Sequence, residues 1–158
     1  MPDDPNINRP RWDFDRAEPP FRSRAMRVAH HAGSEELGAT LFEIDPGGAV
    51  SPYHIHHGNE ELLIVINGRP TLRAPGGERE LEPGEAVLFP RGQEGAHTLL
   101  NRTEEPVRCL FVSTLLQPEV VEYPDSGKLG VRVGGERPNF RLDSQVDYWD
   151  GEEARSEA

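Results

Sequence analysis

Apolar and polar residues alternate in short runs along most of this chain, the period of strands that bury one face. Turn-forming Gly, Pro, Asp and Asn separate the runs. The pattern predicts strands over residues 26–30, 38–44, 49–56, 61–66, 70–74, 78–81, 86–89, 96–100, 107–114, 120–123 and 129–133. Asn67-Gly68, after the strongly apolar stretch 61–66, is the strongest two-residue hairpin signal in the chain. Pro75-Gly76-Gly77 marks a second hairpin. No stretch reads as a convincing amphipathic helix, and no repeat of solenoid period is present. Many short strands at near-regular spacing predict an all-β sandwich or barrel.

The flanks read differently. Residues 1–25 are Pro-rich and lack apolar periodicity, so an extended N-terminal arm is expected there. Trp12, Phe14 and Phe21 on this arm are expected to pack onto the barrel or onto a second subunit. The barrel domain is expected over residues 26–133, and 134–158 forms an acidic C-terminal extension whose end, 151–158, is expected to be disordered. Tyr148-Trp149 reads as a packing anchor within that extension.

Length and charge narrow the function. A chain of 158 residues suits one domain with a real core. Asp and Glu outnumber Lys and Arg by 28 to 17, a net charge of −11, which disfavours non-specific nucleic-acid binding and docking on an anionic membrane. No signal-peptide pattern or membrane-length apolar run is present, and a cytoplasmic location is expected. The single cysteine, Cys109, reads as a buried strand residue rather than a ligand or reactive thiol. Of the 17 basic residues only Lys128 is lysine, which reads as base composition. Lys128 lies beside the turn 123–127, read as an ordinary surface turn in preference to an anion contact or lid.

Two histidine-bearing stretches carry the chemistry. His54 and His56 stand at i and i+2, so in a strand both project to one face with Ile55 turned away. Glu61 opens the next apolar run and His97 another. Three imidazoles and a carboxylate meeting inside a barrel form a site for a first-row transition metal. His57 is expected to point outward or to support the site, Glu60 to be solvated, and His30 and His31 to have no role in it. No Gly-x-Ser-x-Gly nucleophile setting and no phosphate-cradling loop before a helix is found.

The residues Gly48, His54, His56, Glu61 and Gly68, followed by Gly84, Pro90, Gly92, His97 and Asn101, resemble the two motifs of the cupin superfamily. Four residues separate His56 from Glu61, and six separate Glu61 from Gly68, which selects Glu61 over Glu60 as the ligand. The second motif departs from the family pattern: four residues, 93–96, stand before His97 where two are usual. The resemblance implies an all-β fold, a small jelly-roll or double-stranded β-helix barrel of the single-domain conserved-barrel type. It further implies a divalent transition metal ion (Mn, Fe, Ni, Zn, Co or Cu) on His54, His56, Glu61 and His97, a small-molecule ligand or substrate, and a homodimer. Catalytic residues beyond the metal ligands are not identified. The function expected is a metal-dependent enzyme of dioxygenase, decarboxylase or isomerase type. The alternatives are a non-catalytic metal-dependent binder or sensor and, if the ion is closed tetrahedral zinc, a structural barrel.

Overall fold

The alternation seen along the chain resolves into two walls of antiparallel strands. The computed structural model describes residues 4–153; expectations that concern residues 1–3 and 154–158 lie outside the described residues. The first wall is a six-stranded sheet. It contains β1 (Phe14–Arg16), β2 (Ser23–Met26), β3 (Leu37–Ile44), β5 (Glu61–Asn67), β8 (Ala86–Phe89) and β10 (Val107–Thr114), in the order β1-β2-β3-β10-β5-β8. The second wall has two parts. A three-stranded sheet joins β6 (Thr71–Ala74), β7 (Gly77–Glu80) and β9 (Thr98–Leu100) in the order β7-β6-β9. A four-stranded sheet joins β4 (Ile55–His56), β11 (Glu119–Tyr123), β12 (Lys128–Arg132) and β13 (Asn139–Arg141) in the order β13-β12-β11-β4. Single bridges, Ala49 to Leu100 and His54 to His97, connect the two parts. The protein is an all-β jelly-roll barrel.

Strand periodicity sets the core. On β5, Leu63 and Val65 point inward, and on β10 Val107, Cys109 and Phe111 do, meeting Leu72, Leu81 and Leu99 from the opposite wall. Cys109 is fully buried, and burial pushes its thiol pKa up to about 12, as a packed core residue requires. At the other end of the barrel Trp12 lies under the guanidinium of Arg24 at 4.9 Å, and Phe14 meets Phe42 edge to face at 6.4 Å. Trp12 and Phe14 of the arm thus pack on the barrel.

Four local expectations are corrected. Residues 28–31 form a one-turn helix, α1 (Val28–His31), where a strand over 26–30 was expected; the strand ends at Met26 and the turn buries Ala29. The stretch 49–56 is regular only at β4, because Pro52 has no N–H for a ladder, and it keeps its place through the two bridges. Asn67-Gly68 is not a hairpin: β5 pairs with β10 and β8, whereas β6 pairs with β7 and β9, so the chain crosses from one wall to the other there. Gly68 has φ +81°, and a Cβ on it would stand 2.5 Å from Val107 Cγ1, so the glycine serves a close crossing. Tyr148 and Trp149 touch each other at 4.7 Å but are 82% and 73% exposed, so they anchor nothing on the barrel; the chain has left the sheets by then. The hairpin at 75–77 forms as expected, Ala74 pairing with Gly77.

Candidate metal centre

The two histidine stretches meet through the backbone before they meet through side chains. His54 and His97 exchange both hydrogen bonds of an antiparallel pair, His54 N to His97 O at 3.1 Å and His97 N to His54 O at 2.9 Å. His56 is paired with Val121 on β11, and its carbonyl accepts from Gly92 N at 2.8 Å, which pins the loop before His97. Glu61 enters from the opposite wall as the first residue of β5, on the same face as Leu63 and Val65. All four side chains expected to be ligands are therefore brought together.

The distances describe a cluster with room for one ion. His54 Nε2 lies 3.1 Å from His56 Nε2; Glu61 Oε2 lies 3.4 Å from His56 Nε2 and 3.2 Å from His97 Nε2. Ligand atoms held ~2.1 Å from one ion stand roughly 3.0 Å apart at a right angle and roughly 3.4 Å apart at the tetrahedral angle. Single donor atoms of His54, His56 and Glu61 all lie within 4.8 Å of one another.

The outer contacts turn the right nitrogens inward. His54 Nδ1 donates to Pro52 O and His97 Nδ1 to Gly95 O, each at 2.9 Å, which turns Nε2 of both rings toward the cluster. His97 Nε2 is buried and hydrogen-bonds nothing, because its approach to Glu61 lacks hydrogen-bond geometry. A buried ring nitrogen without a hydrogen-bond partner fits the role of a metal ligand. His97 is also clamped flat on Phe89, ring centroids 3.7 Å apart and planes at 8°, with Phe111 beyond at 6.0 Å. Burial first, then the neighbouring imidazoles His97 and His56, pushes the His54 pKa down to about 3, so the ring is neutral at ordinary pH. Burial raises the Glu61 carboxyl, but contacts with His56 and His97 outweigh it and hold the group well below the usual carboxylate range.

The remaining candidates separate cleanly. His57 points outward to Glu122 at 3.1 Å, and Glu60 is exposed. His31 is engaged with Asp13 at 2.8 Å, while His30 lines the cavity above the cluster. Asn101 is buried as a bracket: Nδ2 donates to Ile44 O and Glu105 O, and Oδ1 accepts from Thr103. Two contributors were missed by sequence reasoning. Phe89 had only its strand position as a signal. Glu119, 2% exposed and 3.4 Å from His56 Nδ1, stands one place outside the expected strand 120–123. The turn after Tyr123 carries Gly127 at φ +58°, an ordinary turn, with the Lys128 ammonium 5.3 Å from the Tyr123 ring.

Above the cluster the barrel opens into a cavity of about 490 Å³, large enough for a small organic molecule. Its floor holds His54, His56, Glu61 and His97. A smaller recess of about 220 Å³ adjoins it past His56 and Glu61.

Comparison with known proteins agrees with this architecture. Residues 40–113 match the family model of the cupin domain. A putative sugar phosphate isomerase from Acidithiobacillus ferrooxidans superposes with a TM-score of 0.77 at 27% identity, over 86% of each chain. A sugar phosphate isomerase of the cupin superfamily from Silicibacter pomeroyi superposes at 0.79 with 23% identity, over 92% of this chain and 97% of its own. The polyketide cyclase RemF from Streptomyces resistomycificus superposes at 0.52 with 28% identity, over 61% of this chain and 68% of its own. No curated protein matches the chain. Among the described residues no helix is long and apolar enough to cross a membrane. Both histidine stretches lie inside the matched region and the barrel closes around them, so residues 40–113 of the chain form a cupin domain.

Proposed function

We propose that this protein is a metal-dependent enzyme of the isomerase class, acting on a small hydroxylated carbonyl compound in the barrel mouth. His54, His56, Glu61 and His97 would hold one divalent transition metal ion. One observation carries the proposal: the buried Nε2 of His97, without a hydrogen-bond partner, facing the Glu61 carboxylate and two further imidazoles below an open cavity. When bound there, the ion supplies Lewis-acid polarisation of a carbonyl or hydroxyl oxygen. The chain's own residues bind and orient. Pro52 O and Gly95 O hold the orientation of the imidazoles, and Phe89 fixes the plane of His97. Resemblance to a putative sugar phosphate isomerase over 86% of both chains favours isomerisation over the other chemistries open to such a site.

A second reading, a non-catalytic metal-dependent binder, is favoured by a specific absence. Among the described residues, no carboxylate except Glu61 lines the larger cavity, so it holds no spare carboxylate base. One experiment separates the two. Elemental analysis of purified protein should find about one transition metal ion per chain, and NMR should detect interconversion of aldose and ketose partners, free or phosphorylated. His97→Ala should lower metal affinity by more than the ~10–100-fold typical of outer-sphere substitutions and remove turnover together with the ion. Ligand-dependent stabilisation without turnover would select the binder. Absence of metal even after incubation with divalent salts would end both readings.

A further inference from the structure

The acidic chain turns basic at the mouth of its cavity. Arg16, Arg27, Arg132 and Arg137 line the same cavity as the histidine cluster, and among the described residues the only carboxylate lining it is Glu61 on the floor. In a chain of net charge −11 this is a local reversal of sign.

The hairpin of β12 and β13 explains how two of these arginines are held. Val133 and Glu136 exchange both backbone hydrogen bonds across Gly134-Gly135, whose φ values of +58° and +87° suit a tight two-residue turn. Gly130 pairs with Asn139 further along the same ladder. Arg132 therefore stands directly opposite Arg137, and cross-strand partners project to one face. Four residues on, past the Gly130–Asn139 rung, the same face carries a second basic rung, Lys128 opposite Arg141.

Like charges directly opposite each other across a ladder repel. Here no carboxylate offsets the repulsion and only solvent screens it: neither Arg132 nor Arg137 forms an ion pair among the described residues. Glu119, the partner of Arg132 on its other side, is turned to Gly58 N and His56. Glu35 and Glu136 line the smaller adjoining recess together with the two arginines, and neither forms an ion pair with them. The opposite wall supplies Arg16, stacked on Phe14 at 5.0 Å, and Arg27, held loosely by Asp13 at 3.7 Å. An unpaired, cross-strand arginine pair above a polar cluster is a fork for a multidentate anion.

We infer that Arg132 and Arg137 bind the phosphate group of a phosphorylated substrate, with its carbonyl end directed to the histidine cluster. This deepens the function proposed above and, for the carbonyl end, rests on it. A phosphate monoester dianion presents three oxygens to several guanidinium groups at once, whereas a carboxylate presents two.

The test is calorimetric titration of the full chain with inorganic phosphate, ribose 5-phosphate, ribose and ribonate, with metal content measured on each sample. Ribose 5-phosphate and inorganic phosphate should bind the native protein saturably, ribose and ribonate at least about tenfold more weakly. Arg132→Gln/Arg137→Gln should weaken phosphate binding about tenfold or more and leave metal content and Tm unchanged. Arg132→Lys/Arg137→Lys, which keeps charge but loses the fork, should recover part of it. Equal binding by the native protein and the Gln variant, or equal binding of ribonate, overturns the inference. Arginine-dependent phosphate binding in a protein that takes up no metal would leave this site standing and refute the metal enzyme. Stoichiometric metal without arginine-dependent phosphate binding would do the reverse.

Discussion

At the residue scale, the centre depends on one carbonyl that sits in an unusual place. Gly95 O accepts from His97 Nδ1, and a Cβ on Gly95 would lie 1.8 Å from Pro90 O, so no larger residue fits without moving the backbone. Gly95→Ala should therefore cost about 1–3 kcal/mol in stability through overpacking. It should also lower metal affinity by roughly 10–100-fold, because the group that fixes the His97 tautomer is displaced. Thermal denaturation and metal competition measure the two effects separately; loss of stability with unchanged metal affinity would show that His97 orients without its carbonyl. That His54 and His56 project together was legible from the chain, since residues at i and i+2 of an extended segment share a face. Gly95 was not, because it lies in the two-residue excess before His97 and its role is a backbone contact made through Pro90. The arginines were illegible for a different reason: Arg132 and Arg137 acquire meaning only from the register of a hairpin.

At the element scale, the first wall is tied at its middle by a buried carboxylate. Glu43 on β3 is 4% exposed and receives the guanidinium of Arg24 from β2 and of Arg108 from β10, with Trp12 lying over Arg24. Burial raises the Glu43 carboxyl, and the hydrogen bonds from Arg24 and Arg108 more than reverse it, so the folded-state value lies below the unfolded one. A depressed carboxylate stabilises the fold above its unfolded pKa, and that contribution is lost as pH falls through the folded value. Stability of the native protein should thus decline below about pH 4.5, and Glu43→Gln should show a shallower decline. Glu43→Ala, which leaves two guanidinium groups without their anion, should cost roughly 2 kcal/mol at neutral pH, less than a fully buried pair because both arginines are part-exposed. Chemical denaturation across pH checks both. Strands with clear alternation, such as residues 107–114 and 86–89, were legible to the residue. The stretches that failed did so where tertiary structure overrode local signals. Asn67-Gly68 has the chemistry of a hairpin and is used for a crossing between walls, and residues 49–56 hold strand positions without a continuous ladder.

At the scale of the whole molecule, the question is whether the barrel needs its ion to stand. Its core is continuous without the cluster: Leu63, Val65, Leu72, Leu81, Leu99, Val107 and Phe111 pack together, and Leu63, Leu81, Leu99 and Val107 are fully buried. Burial of each such side chain is worth ~1.5–3 kcal/mol, so the packed core contributes far more than the four polar groups at its mouth. The proposed ion would instead relieve a local cost at the cluster, three imidazoles and a carboxylate held within touching distance in a buried place. His54→Ala/His56→Ala removes two donors and their mutual crowding at once. It should abolish stoichiometric metal while leaving the far-ultraviolet circular dichroism β-rich and the unfolding cooperative. Chelation of the native protein, by contrast, leaves the crowded donors in place and should lower Tm more than the double substitution does. If the substituted chain instead unfolds outright, although the main-chain bridge between residues 54 and 97 survives the substitution, the cation is part of the folding energy of this barrel.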